Sequence, residues 1–180
     1  MAIRVWGEIF KVVSADYHGG GGKMSGVTHC KLRNIANGAG REHRFRADER
    51  LEEVELERRN MSFLYSDSES CYFMDPQSFE QSAVPQAMVG AAEKFLKPEM
   101  QIQVEFYQDR AVSISFPPIV DATVETTAEP IHQQQDNTLK SATLENGMEV
   151  LVPQFIAPGE RIRVEVETGK YVERVQKEKK

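Results

Sequence analysis

Residues 19–26 read GGGGKMSG, a run with one charged side chain, Lys23, and little that can pack. It lies between Phe10 to Asp16 (FKVVSAD) and Gly26 to Ile35 (GVTHCKLRNI), whose β-branched residues favour extended structure. Two strands joined by a glycine-rich loop predict a long hairpin. Its tip is expected to protrude with the Lys23 ammonium near the end, where glycine lets another backbone come close. The chain is read from here as a scaffold that holds a probe.

Charge is divided in a way that fits a probe. Residues 1–46 hold eight Lys/Arg and three acids, a balance of +5, which leaves −11 for residues 47–180 of the total −6. A basic end on an acidic body suits docking of one end against RNA phosphate and argues against nonspecific nucleic-acid binding. With 40% apolar and 28% charged residues the chain reads as globular. No apolar run nears the roughly 20 residues of a membrane span, and no signal peptide opens the chain. Cys30 and Cys71 stand apart without metal-ligand spacing and read as two half-buried thiols in a reducing, cytoplasmic setting.

Three β-rich segments follow from turn chemistry. Residues 1–58 read as five short strands with a turn at Asn37-Gly38. In residues 59–121, strands at Met61–Tyr65, Cys71–Met74, Val104–Tyr107 and Ala111–Phe116 surround one helix, expected from Gln86 to Leu96. That helix should bury Met88, Ala91, Ala92 and Phe95. Phe63, Tyr65, Tyr72, Phe73, Phe106 and Tyr107 are assigned to core packing rather than base stacking. In residues 122–180, a strand at Thr123–Glu129 and four shorter ones are punctuated by Gly147, Gly159 and Gly169. The chain is therefore expected to be all-β, three small barrels in a row.

Four stretches together resemble bacterial translation elongation factor P. They are the glycine loop with Lys31-Leu32-Arg33-Asn34-Ile35; Phe45-Arg46-Ala47 with Glu52, Glu53 and Val54; Met61 to Tyr65 with Tyr72 to Asp75 and Phe79 to Gln81; and Lys140 to Gly147 with Val150 to Ile156 and Gly159, closing on Gly169 to Val175. The resemblance implies a KOW/SH3-like first domain and two OB domains in an L-shaped, tRNA-like arrangement. It implies binding to both ribosomal subunits between the peptidyl and exit sites, beside peptidyl-tRNA, as a monomer. There the factor would relieve stalls at consecutive prolines.

Carried onto this chain, Lys23 with Gly21, Gly22 and Met24 would meet the CCA end of peptidyl-tRNA. Lys31, Arg33, Arg44 and Arg46 would serve RNA phosphates, and Tyr171, Arg174 and Asp136 would face the tRNA stem and small subunit. A lysine-modifying enzyme is a further partner the family implies for Lys23. Many members flank the tip Gly-Lys pair with Pro and Gly, whereas Gly21-Gly22-Lys23-Met24 has neither. Members also carry a strand upstream of Met1, which implies a first domain one strand short or a start placed late. No cofactor and no metal are expected, and no nucleophile elbow, phosphate-binding P-loop or HxxxH pattern marks an enzyme. A specialised paralogue of the factor and a general OB-fold RNA-binding protein stay open as alternatives.

Overall fold

A computed structural model describes residues 1–21, 26–130 and 138–175. Three five-stranded antiparallel sheets account for almost all regular structure. The chain divides into two compact units, residues 1–90 with 97–115, and residues 91–96 with 116–180.

In the first unit, the first sheet runs β4-β3-β2-β1-β5, with β1 Ala2–Val5, β2 Glu8–His18, β3 Val27–Asn34, β4 Gly40–Arg46 and β5 Glu52–Val54. The long hairpin expected around the glycine run is β2 with β3, paired from Phe10↔Asn34 out to His18↔Val27. Trp6 and Gly7 close the β1–β2 turn, both at positive φ (53° and 78°). That is the twist a two-residue hairpin turn requires. Strand alternation sends Ile3, Phe10, Cys30, Leu32 and Phe45 inward as one apolar cluster.

The second sheet, in the same unit, runs β10-β9-β6-β7-β8, with β6 Glu57–Ser66, β7 Ser70–Met74, β8 Gln81–Pro85, β9 Gln101–Tyr107 and β10 Arg110–Ser115. Its edge strands β8 and β10 approach each other, curling the sheet toward a barrel. The turn expected at Gln108-Asp109 is present with both residues at positive φ, 50° and 60°.

The structure departs from the sequence reading at four points. The helix is one α turn, α1 Gln86–Val89, followed by a 3-10 stretch over Gly90–Phe95. Gly90 sits at φ 63°, outside helical space, so the i→i−4 ladder stops there. Met88, Val89, Ala92 and Phe95 are buried, while Ala91 is only half-buried. Edge strand β8 gave no alternating signal and ends on a proline. Of the six aromatics assigned to the core, Phe63, Phe73 and Phe106 are buried, but Tyr65 is 53% exposed and stacks on half-buried Tyr72 at 4.6 Å. Their hydroxyls need polar partners; that of Tyr72 donates to Asp67 Oδ2 at 2.8 Å. Both cysteines are buried outright, Cys30 at 6% and Cys71 at 0% exposure, rather than half-buried.

The second unit holds the third sheet, ordered β13-β12-β11-β14-β15. Its strands are β11 Ile119–Thr127, β12 Leu139–Leu144, β13 Glu149–Pro153, β14 Arg161–Glu165 and β15 Tyr171–Arg174. Strand β11 begins at Ile119, earlier than the Thr123 start expected. Gly147, Gly159 and Gly169 all sit at positive φ in turns, as their spacing suggested. Val124, Leu144, Val152, Ile156, Ile162 and Val164 form the core and are fully buried.

Candidate nucleic-acid interface

The β2–β3–β4 ribbon has two unlike faces. Thr28, Cys30 and Leu32 point inward with Phe45. Val27, His29, Lys31 and Arg33 point outward, beside their cross-strand partners Arg46, Arg44, Glu42 and Gly40. From β2, Lys11, Ser14, Asp16 and His18 join this outer face, the period being kept across the β-bulge between Val12 and Ser14. The outer face is thus a cationic stripe along the hairpin, with Asp16 and Glu42 as its acids.

The stripe splits along its length. Lys31, midway along the hairpin opposite Ser14 and Glu42, and Arg44 and Arg46, at the end nearest the glycine loop, are exposed, and their charged groups pair with no described residue. His18, Val27, His29 and Arg44 there line a cavity of about 330 Å³. His29 Nε2 lies 3.4 Å from Glu42 Oε2. At the other end, Arg33 Nη1 donates to the Ala87 carbonyl of α1 at 2.6 Å, and Lys11 Nζ reaches Glu105 at 2.7 Å. Arg33 was expected to serve RNA phosphate with the other three; its Nη1 is engaged inside the first unit.

The hairpin's end is closed by its own side chains. Tyr17 covers Gly26 so closely that a Cβ at Gly26 would lie 2.2 Å from the Tyr17 hydroxyl oxygen. The Gly26 carbonyl accepts the Ala47 N–H at 3.0 Å, tying the loop's return to the end of β4. Gly21 is exposed with open space around it. Lys23, Gly22 and Met24 lie outside the described residues, as does Asp136.

Across the sheet, Trp6 carries the Arg41 guanidinium 4.2 Å from its ring centroid and meets His43 edge-on at 4.8 Å. Burial, with the charge of Asp16, pushes the Cys30 thiol up. A buried thiol held protonated packs as a small apolar group.

In the second unit, Tyr171 is half-buried and pairs with Val164, and burial pushes its phenol up. Arg174 is exposed, its Nη1 3.5 Å from Glu160 Oε1 and its guanidinium 5.6 Å from the Phe155 ring centroid. Beside them runs an ion-pair ladder that sequence reasoning missed. Asp121 accepts from Arg161 at 2.9 Å and from Arg163 at 3.4 Å, and Arg163 reaches Glu173 at 2.5 Å. The two Arg163 pairs follow from strand register, Arg163 lying opposite both Asp121 and Glu173, while Arg161 reaches Asp121 diagonally from its position opposite Thr123. Among the described residues no group of three His, Cys, Asp or Glu could hold a metal ion, and no helix is long and apolar enough to cross a membrane.

Comparison with known families agrees with this architecture sheet by sheet. Residues 1–51 match the family model described as Elongation factor P (EF-P) KOW-like domain, residues 56–114 the Elongation factor P (EF-P) OB domain, and residues 120–174 Elongation factor P, C-terminal. A KOW-like sheet followed by OB-type β domains defines the class, a translation factor rather than an enzyme. The elongation factor P of Roseiflexus sp. is 36% identical over 178 residues, 97% of this chain and 94% of the relative. That of Clostridium kluyveri is 40% identical over 171 residues, covering 94% and 91%, and that of Thermoanaerobacter sp. 39% over 178 residues, covering 97% and 95%. The chain belongs to the elongation factor P family.

Proposed function

We propose that this translation elongation factor binds the ribosome between the peptidyl and exit sites and promotes peptide-bond formation at consecutive prolines. Proline is a constrained, poor acceptor, so transfer depends on reactants held in a productive geometry. A probe that orders the CCA end of peptidyl-tRNA lowers the entropic part of the barrier without supplying a chemical group. In this reading Lys23 contacts that end, and the glycines around it let the two backbones approach. Lys31, Arg44 and Arg46 meet tRNA or ribosomal phosphates, and Tyr171 and Arg174 face the small subunit.

The observation that supports this best is the split stripe: among the described residues the charged groups of Lys31, Arg44 and Arg46, from mid-hairpin to the glycine-loop end, have no partner, whereas Lys11 and Arg33 at the other end are engaged. Phosphate contacts of this kind position a protein on RNA without reading sequence.

The test is translation of a triproline reporter on bacterial ribosomes with wild type and Lys23→Ala. Relief of the stall by wild type alone supports the reading, and the intact mass of the active protein reports any modification of Lys23. Equal relief by both moves the work to the glycine backbone. Failure of wild type rejects the function.

A further inference from the structure

The first unit contains a part-buried charge network that phosphate recognition does not use. Lys11 Nζ donates to Glu105 Oε2 at 2.7 Å, to Ser113 Oγ at 2.5 Å and to the Ile114 carbonyl at 2.5 Å. All three of its protons have acceptors, and all three acceptors belong to β9 and β10 of the second sheet. The Glu105 side chain is 3% exposed, and its other oxygen lies 3.4 Å from Arg58 Nε. Lys11 itself stands on β2 of the first sheet, so the network ties the long hairpin to its neighbour.

Stability alone does not account for such a pair. Apolar residues of similar volume commonly hold an interface as well as a buried ion pair does. The ion pair adds direction, because hydrogen bonds from one nitrogen to three separate acceptors fix where Lys11 sits.

Lever length makes that direction matter. From Lys11 to His18, the end of β2, is seven residues, about 23 Å at roughly 3.3 Å per residue. A tilt of about 10° at Lys11 would shift the strand end by about 4 Å over that length. A misplacement of about 1 Å can cost on the order of a hundredfold in a rate that depends on positioning. Arg33 holds the hairpin at a second point, the Ala87 carbonyl, and one point alone leaves a pivot.

We propose that Lys11 is the positioning residue of the glycine-tipped hairpin: anchored by Glu105, Ser113 and the Ile114 carbonyl, it sets the angle at which β2 and β3 leave the second sheet. The consequence for peptide-bond formation rests on the function proposed above, whereas the tether does not.

The experiment measures spin-label distances between Asp16→Cys on β2 and Gln103→Cys on β9, both exposed sites; native Cys30 and Cys71 are buried. It compares Lys11 with Lys11→Met and with the double variant Lys11→Met/Glu105→Met. The double variant leaves no uncompensated carboxylate and carries the test if the single one does not fold. A distance distribution broadened at least about twofold is expected in the folded variants, on the scale of the ~3 Å displacement that a tilt of about 10° gives at Asp16, five residues from Lys11. Maximal stall relief at saturating factor should fall on the order of tenfold or more, with the half-saturating concentration unchanged. A folded double variant with wild-type width overturns the proposal. So does a broadened variant that keeps the full maximal rate. If wild type relieves no stall, the function fails and the distance widths alone still decide the tether.

Discussion

Lys11 and Arg33 are direct cross-strand partners on the outer face of the β2–β3 hairpin, yet each is drawn to a separate acceptor in the second half of the same unit. Like charges directly opposite on a sheet repel. Here the repulsion is relieved by geometry: the ammonium goes to Glu105 and its neighbours, the guanidinium to the Ala87 carbonyl of α1. Two cations that local pattern would leave facing each other become two pins for the hairpin.

Arg33 should therefore behave unlike Arg44 and Arg46. Arg44→Ala and Arg46→Ala should each lower the salt slope of ribosome binding by about 1, as expected when one phosphate contact is lost. Arg33→Ala should leave that slope unchanged and instead lower stability by about 1–2 kcal/mol through its lost charged hydrogen bond. Binding measured across a salt series, alongside urea unfolding, separates the two effects. An equal drop in slope for all three would place Arg33 on RNA after all.

Gly38 is expected to resist substitution. It sits at φ +73°, and a Cβ there would lie 2.5 Å from the Cβ of Ala87. Gly38→Ala should cost about 2–3 kcal/mol, roughly 1 from the left-handed backbone and the rest from overlap. Adding Ala87→Gly should recover only the overlap part. The coupling is read from a double-mutant cycle in urea, and additive costs would show that the two residues do not touch.

Acid should act through Glu105. Burial alone would push its carboxyl up, but the hydrogen bond and charge of Lys11, with Ser113 and Arg58, outweigh it and hold the group below the ordinary range. A carboxyl depressed in the folded state stabilises above its unfolded value, about 4.3, and loses that contribution as pH falls through the folded value. The urea midpoint of wild type should therefore fall more steeply below about pH 4 than that of Glu105→Gln. The exposed carboxyls of Asp67 and Asp75, held low chiefly by backbone N–H groups, titrate in both proteins and cancel in the comparison. Parallel curves would remove Glu105 from the acid response.

Phe73 is fully buried in the second sheet, with the Phe63 ring centroid 5.6 Å away. Phe73→Ala should cost about 3–5 kcal/mol from lost burial and the cavity left behind. Tyr65→Ala, at a half-exposed ring, should cost on the order of 1 kcal/mol. Thermal melts of the two variants test the division of aromatics, and similar losses would contradict it.

The all-β build and its turns could be read directly from the chain. Asn37-Gly38, Gln108-Asp109 and the three late glycines state their conformations locally, because a positive φ or a two-residue turn is a property of a few adjacent residues. The cation-bearing hairpin was legible for the same reason: alternation and a glycine run need no knowledge of the rest of the molecule. The helix was misjudged because Gly90, tolerable inside a helical pattern, is held left-handed next to the Arg33 fork, a neighbour 57 positions away in sequence.

Which charges lack a partner was settled by tertiary packing. Lys11, Lys31, Arg33, Arg44 and Arg46 read alike as basic residues of β-strands. Glu105 stands alone among the apolar residues of VEFY, and nothing nearby in sequence names its partner. Pairing across 94 residues brings Lys11 to that carboxylate and leaves Lys31, Arg44 and Arg46 to solvent. Backbone preference is local and so is written in the sequence. Partnership between charges depends on which sheets meet, and that is settled only when the chain has folded.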